Sequence, residues 1–286
     1  MTTIDEPTSQ YAFRDQPDGT GLGRHRQLLA HLTTMLDPFT RRRLDQAGAR
    51  TASRCLEIGA GSGTIARWLA GQIEPDGQVI ATDLDPSQIP PHPRITALTH
   101  DITRDPLPDG RFDLIHARLV LAHLPTRHQV LDRLVDALTP GGALVVEEFD
   151  ASWDRCVLDS PDPDADRLFT SYHHALLAVL VAAGADPSWG RRAHRALRRA
   201  GLVQVEAEFW SRTWHGGQAG CQLPHTASAQ LADQLTAAGM LPEDLLRFRD
   251  LLLDPRLVIH GNTAVSTIGH RPRSTGVVAP AVAAAG

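Results

Sequence analysis

"RCLEIGAGSGTIARWLA", residues 54–70, sets three glycines, Gly59, Gly61 and Gly63, directly after an apolar run and directly before an amphipathic one. Glycine after a buried strand admits positive φ and lets the backbone come close to a ligand, while the N-terminus of the next helix offers free N–H groups. The ligand such a turn implies is nucleotide-like. A dinucleotide fingerprint reads G-x-G-x-x-G and needs its third glycine at position 64. Thr64 stands there instead, so the pattern is G-x-G-x-G, with Glu57 two residues ahead of it. An acidic residue ending the second strand would reach a ribose diol, and Asp83 ends QVIATD about 20 residues after the glycines. A further carboxylate, Asp101, ends the third strand in the phrase THDI.

Outward from this turn the chain alternates. Residues 1–23 are polar and punctuated by Gly and Pro, and 24–48 carry Leu28, Leu29, Leu32, Met35, Leu36, Phe39 and Leu44 at helical spacing, which predicts a leading helical arm. Strand 55–58, helix 64–73, strand 78–83, a short helix near Pro86–Ile89 and strand 94–101 follow. Strand 112–117, helix 126–138, a turn at Pro140–Gly142 and strand 143–149 complete the series. A βαβ run of this kind calls for a parallel sheet covered on both faces. Beyond it, 151–166 is Asp/Pro-rich and loop-like, helices are expected at 167–183 and 190–200, and an alternating strand at 203–210. Helices at 226–239 and 242–253 precede a final strand at 257–268, and the two late strands read as a hairpin at one sheet edge. Residues 271–286, RPRSTGVVAPAVAAAG, have little to bury and read as disordered.

Composition sets the limits. The 286 residues are 42% hydrophobic and 21% charged, an ordinary globular balance, with one core expected. A net charge of −5 with basic residues spread along the chain indicates neither a nucleic-acid stripe nor a membrane patch. No apolar run approaches the roughly 18 residues that span a bilayer. The opening MTTIDEPTSQ lacks the features of a secretion signal, so a cytoplasmic location is expected. Cys55, Cys156 and Cys221 are far apart with no CxxC pair, which argues against structural zinc. Fourteen histidines form no H-x-x-x-H with an accompanying acid, so no metal is expected. The chain has no lysine, which removes Schiff-base, lysine-bound pyridoxal phosphate and P-loop chemistry together.

"LEIGAGSG", "ATDLDP", "HDI", "FDLIHARLVLAHLP" and "LTPGGALVVEEFD" together resemble the consecutive motifs of class I S-adenosylmethionine-dependent methyltransferases, most closely the small-molecule enzymes of actinobacterial secondary metabolism and antibiotic biosynthesis. The resemblance is continuous over about 50–150 and fainter over 190–272. It implies an α/β, Rossmann-like seven-stranded sheet of order 3-2-1-4-5-7-6 with strand 7 antiparallel. Residues 1–48 would be a helical arm, 49–270 the methyltransferase domain with a helical lid insertion at about 151–190, and 271–286 a tail. Carried over by motif, Glu57, Gly59, Ala60, Gly61 and Gly63 would border the methionine moiety and ribose of S-adenosylmethionine. Asp83 would take the ribose hydroxyls, with Leu84 against the adenine. Asp101 would accept from the adenine amine, with Ile102 on the ring. His116, Ala117, Arg118 and Leu119 would pass beneath the methionine end.

Each assignment has a plainer alternative beside it. A carboxylate suits a diol because it accepts two hydrogen bonds and donates none, and the plainer reading of Asp101 is a cap or turn residue in a Thr/His/Asp-rich loop. Asp85 before Pro86 opens a turn, Cys55 is a small buried hydrophobe, and His123 in LAHLP reads as a structural hydrogen-bonding residue before it reads as a base. Arg191, Arg192, Arg195, Arg198 and Arg199 form the solvated face of a helix. The substrate-side candidates are Tyr11 on the arm, Arg118 and Glu148 at strand ends, and Tyr172, His173 and His174 on the insertion helix. Successive helical residues point about 100° apart, so His173 and His174 cannot both face one pocket. An apolar insertion helix with the arm implies a lid over a small, largely hydrophobic acceptor methylated on N, C or O. A scaffold that binds the cofactor without methylating, an NAD(P)-dependent oxidoreductase and a homodimer are the remaining alternatives.

Overall fold

The computed structural model describes residues 21–151 and 156–273. Tyr11 and the end of the expected tail lie outside them. A 26-residue helix, α1 (Gly21–Gln46), leads into β1 (Arg54–Ile58), α2 (Thr64–Gln72), β2 (Gln78–Asp83), β3 (Ile95–Thr99), β4 (Phe112–Arg118), α3 (Arg127–Ala137) and β5 (Leu138–Asp150). The second half contributes β6 (Val157–Asp159), α4 (Ala165–Ala182), α5 (Trp189–Arg199), β7 (Val203–Trp210) and β8 (Thr213–His215). It closes with α6 (Ala219–Gln230), α7 (Ala232–Ala237), α8 (Pro242–Leu253), β9 (Val258–His260) and β10 (Thr263–His270).

Seven strands form one sheet in the order β3-β2-β1-β4-β5-β10-β7. The first five run parallel, and β10 lies antiparallel between β5 and β7. With β7 and β10 as sixth and seventh members, this is the expected order. Alternate residues of the central strands enter two cores, as buried parallel strands require. Leu56, Ile115 and Val146 pack beneath α3 and α5, and Cys55, Leu114 and Val145 beneath α2 and the end of α1. A third core lies within a helical layer, where Phe39 of α1 joins Leu168 and Phe169 of α4 and Phe248 of α8.

The structure differs from the sequence expectation in four places. The turn expected at Pro140–Gly142 lies inside β5, at a shift in its register with β4. The final strand, expected over 257–268, is two strands, β9 and β10. At Gly261 between them, a Cβ would lie 2.5 Å from the Trp214 ring, and one on Gly220 of α6 would lie 2.2 Å from the same ring. The Trp214 indole thus sits against two backbones that approach too closely for any side chain. The loop-like stretch 151–166 holds β6, which pairs with β9, and β8 pairs with β9 on its other edge. Strands of three residues carry no readable period. The helix expected over 226–239 is α6 followed by α7, and α6 begins two turns earlier, running through Pro224, a residue whose usual helix-ending character masks those turns in the sequence.

A buried polar row crosses the sheet on the α1 face. Glu57 of β1 is in register with His116 of β4, and His116 Nδ1 lies 2.9 Å from Glu57 Oε2 while its Nε2 lies 3.5 Å from Glu147 Oε2 of β5. Thr40 of α1 donates to that Glu147 oxygen and accepts from Arg118 Nη1, which also reaches Asp37 Oδ1 at 3.0 Å. Arg43, nearly buried, extends the attachment to Ser266, Glu206 and Glu208. Burial disfavours the imidazolium, but the carboxylates of Glu57 and Glu147 outweigh it and lift His116 to about 9. His116 in turn holds Glu147 below the usual carboxylate range against the cost of burying it.

Removing the imidazole would take away the cation between two buried carboxylates, so His116→Leu should cost about 3–5 kcal/mol in urea denaturation. A raised histidine contributes stability below its unfolded value of about 6.5. That contribution should disappear as pH climbs through about 9, and the variant should lack this alkaline loss.

Candidate active site

The β1–α2 loop holds Gly59, Gly61 and Gly63 at φ of 66°, 54° and 72°, where L side chains are strained. A Cβ on Gly59 would lie 2.5 Å from Val120, one on Gly61 3.1 Å from Leu29 of α1, and one on Gly63 2.8 Å from Ile89. The glycines therefore admit close packing by the protein's own side chains as well as exposing backbone. Asp83 closes the loop: its Oδ2 accepts from Gly61 N–H at 2.8 Å and its Oδ1 from Asp85 N–H at 3.1 Å. A carboxylate offers about four lone-pair directions, so acceptor capacity is left at this rim.

Above the loop opens a cavity of about 1120 Å³. Gly59, Ala60, Gly61, Asp83, Leu84, Asp101, Ile102, Arg118 and Leu119 line it. Glu57, Gly63, His116 and Ala117 do not; Glu57 and His116 instead belong to the buried row beneath α1. Asp101 Oδ1 accepts from both the N–H and the hydroxyl of Thr103, the turn geometry weighed from sequence, and this fixes the carboxylate at the cavity wall. Among the described residues Arg118 is the sole guanidinium in the lining, and Asp37 pairs with it. His25, Leu29 and Leu32 of α1, together with His100, Val120 and His123, join the wall without having been singled out as ligand-facing residues. The helical period of α1 marked the leucines as buried, with nothing to show that the surface they cover is a cavity.

A second cavity of about 1360 Å³ lies on the other side of α1's first turns, under α4 and α6. Leu28, Leu176, Leu180, Leu223 and Phe169 make it mainly apolar, and Glu148, Tyr172 and His173 stand in its wall. His174 is exposed and outside the lining. Tyr172 stacks on Phe248 at 4.3 Å, and burial raises its phenol above the ordinary range. The two cavities share His25, Leu29, Leu32, Leu119 and His123. At this junction Leu119 takes φ 56°, a conformation costing a non-glycine residue roughly 1–3 kcal/mol. Burial, helped by Arg127, holds His123 down to about 4, so its ring is neutral near pH 7. Burial likewise pushes Glu148 up to about 8, opposed by the backbone N–H groups of Ala122, Leu121 and Val120.

Among the described residues no three His, Cys, Asp or Glu side chains are placed to hold a metal ion, and no helix is long and apolar enough to cross a membrane. The arrangement offers a polar-rimmed cleft at the ends of parallel strands, opening onto an apolar chamber.

Comparison with known proteins agrees with this architecture. The methyltransferase str2 of Strobilurus tenacellus is 37% identical over 140 residues, 48% of this chain and 49% of that protein. The chain thus spans about half the length of that curated relative. A ubiquinone/menaquinone biosynthesis C-methyltransferase of Pseudomonas savastanoi is 20% identical over 249 residues, 77% of this chain and 94% of its own. Among solved structures, a chain of the Haloferax volcanii complex between the Trm112 methyltransferase activator and its methyltransferase shares the fold, with a TM-score of 0.55 at 17% identity over 91% of this chain and 99% of its own. The profile of the methyltransferase domain matches residues 25–206, well over half of the sequence, and the chain belongs to that family.

Proposed function

We propose that this protein transfers a methyl group from S-adenosylmethionine to a small, largely apolar natural product, with the cofactor in the first cavity and the acceptor in the second. The observation that carries the reading is the junction at Leu119 and His123, where a cleft with a glycine floor and a carboxylate rim meets an apolar chamber. The lining suits this cofactor. Asp83 retains acceptor capacity for a ribose diol, Leu84 is 47% exposed beside it, and Ile102 offers a second apolar surface. Among the described residues the one guanidinium in the wall is occupied by Asp37, which favours a ligand without phosphates over a dinucleotide. Leu119 stands at the end shared with the chamber, and Arg118 precedes it in the wall of the cleft. When bound, the cofactor supplies a methyl carbon on a positively charged sulfur. The protein's contribution is then alignment and exclusion of water, the kind of positioning that contributes several kcal/mol or more. α1, α4 and α6 enclose the acceptor, a chamber fitted to neither a nucleic acid nor a membrane surface.

Incubation with labelled S-adenosylmethionine and a panel of indoles, phenols and amines tests the reading. Label should pass to at least one acceptor; absence of S-adenosylhomocysteine binding would overturn it. Asp83→Ala should weaken S-adenosylhomocysteine binding by about 1.5–3 kcal/mol in calorimetric titration, the scale of hydrogen bonds to a charged group. NADH should give no saturable binding. Gly61→Val should abolish binding, since the branched side chain meets both the strained φ of 54° and Leu29 at the cavity wall. Circular dichroism checks that the variant remains folded.

A further inference from the structure

Glu148 stands on the sheet face opposite Glu147, next to the last residues of β5, with 1% of its surface exposed. Its Oε1 accepts from Ala122 N–H at 3.1 Å, which ties the carboxylate to the turn that carries His123. Its Oε2 is buried and has no hydrogen-bond partner. A buried acceptor left unmade costs about 1–3 kcal/mol, and more when charged. The nearby cation acts on Glu148 only through space: Arg127 gives its hydrogen bonds to the carbonyls of Leu121, Ala122 and Gly184. From the remaining walls of the chamber come His25 on α1, His123, Tyr172 and His173 on α4, Asp186, and His260 on β9. Asp186 is committed to Ser188 N–H and Arg192, and His123 is neutral. Once ionised, Glu148 in the wall of this mainly apolar chamber has one covered carboxylate oxygen that lacks a donor, which a ligand can bring.

We infer that the acceptor is an apolar molecule presenting one O–H or N–H group to Glu148, and that this carboxylate receives the proton released when that heteroatom is methylated. This rests on the proposed methyl transfer. In the step, a lone pair on the acceptor's oxygen or nitrogen forms the new bond to the methyl carbon. The carbon–sulfur bond breaks with its electron pair going to sulfur, which becomes neutral. The O–H or N–H proton passes to Glu148 Oε2, and the carboxylate becomes a carboxyl group. Ala122 N–H keeps the carboxylate beside His123, a residue common to both cavities, so the proton acceptor stands near the junction where the transfer would occur. With its carboxyl held at about 8, Glu148 serves as the base in its ionised fraction, which grows as pH rises through that value.

The test uses protein loaded with S-adenosylhomocysteine and three probes of one shape: naphthol, naphthylamine and methylnaphthalene. Naphthol or naphthylamine should bind about tenfold or more tightly than methylnaphthalene, and which of the two gains identifies the donor as hydroxyl or amine. Infrared titration of the same complex should give one carboxyl band lost with a midpoint near pH 8, absent from Glu148→Gln and displaced by the tighter probe. With labelled S-adenosylmethionine, the transfer rate of the native protein should rise through that pH. Glu148→Gln should lose the rise and at least about tenfold in kcat, while keeping its S-adenosylhomocysteine affinity; His174→Ala should change none of these. Equal binding of the three probes, or no carboxyl band above the ordinary range, overturns the inference even where the cofactor product binds. Both readings on the native protein stand without the variant. Failure of S-adenosylhomocysteine to bind at all would instead overturn the proposed methyl transfer.

Discussion

The row Glu57–His116–Glu147 ties three central strands to one another and to α1. Each member is buried, and a carboxylate in that position persists because the imidazole between the two supplies the compensating charge and, to Glu57, a hydrogen bond. Thr40 and Arg118 carry the row upward into the helix, and Arg43 repeats the attachment at β7 and β10. With its second half pinned in this way, α1 projects its first turns over the strand ends. Leu29 and Thr40 are about 16 Å apart along the helix axis, so an attachment beneath the sheet surface fixes a wall above it.

That wall divides the space over the sheet. Leu29 and Leu32 face both cavities, Gly61 accepts Leu29 at close approach, and Leu119 in its left-handed conformation turns the chain away from β4 where the cavities meet. Strain held at one residue of a strand end is sustainable because the neighbours over-determine it. Leu119 N–H is fixed by Glu147 O at 2.8 Å, the same residue whose side chain closes the buried row. The sheet, the helix and the junction therefore depend on one set of side chains.

Much of this is legible in the sequence. Buried parallel strands are short apolar runs, the glycine turn punctuates the first of them, and each strand end is marked by an acid or a turn, which puts Asp83 and Asp101 on one rim. The two late strands, 52 residues of mostly helical chain apart, were legible as a pair because β7 alternates and β10 is long. The small sheet was not, since three-residue strands have no period, and Pro224 hid the first turns of α6. At the site, Glu57 and His116 sit within motif-bearing strands, but a sequence does not say which face of the sheet a residue takes once the strand is apolar on both. The structure turns them under α1, and Glu148, adjacent to Glu147, to the other side. His25 and His123 gain their place at the junction from contacts distant in the chain, which spacing cannot carry.

The central claim is that the glycine-floored cleft and the apolar chamber work as one site across the Leu119–His123 junction. A crystal structure of the complex with S-adenosylhomocysteine tests it most directly. The account predicts the ribose hydroxyls on Asp83, the adenine beside Leu84 and Ile102, and the sulfur facing the chamber that contains Glu148. A ligand bound away from Gly59–Gly63, or one whose sulfur is walled off from the chamber by Leu29 and Leu32, would contradict it.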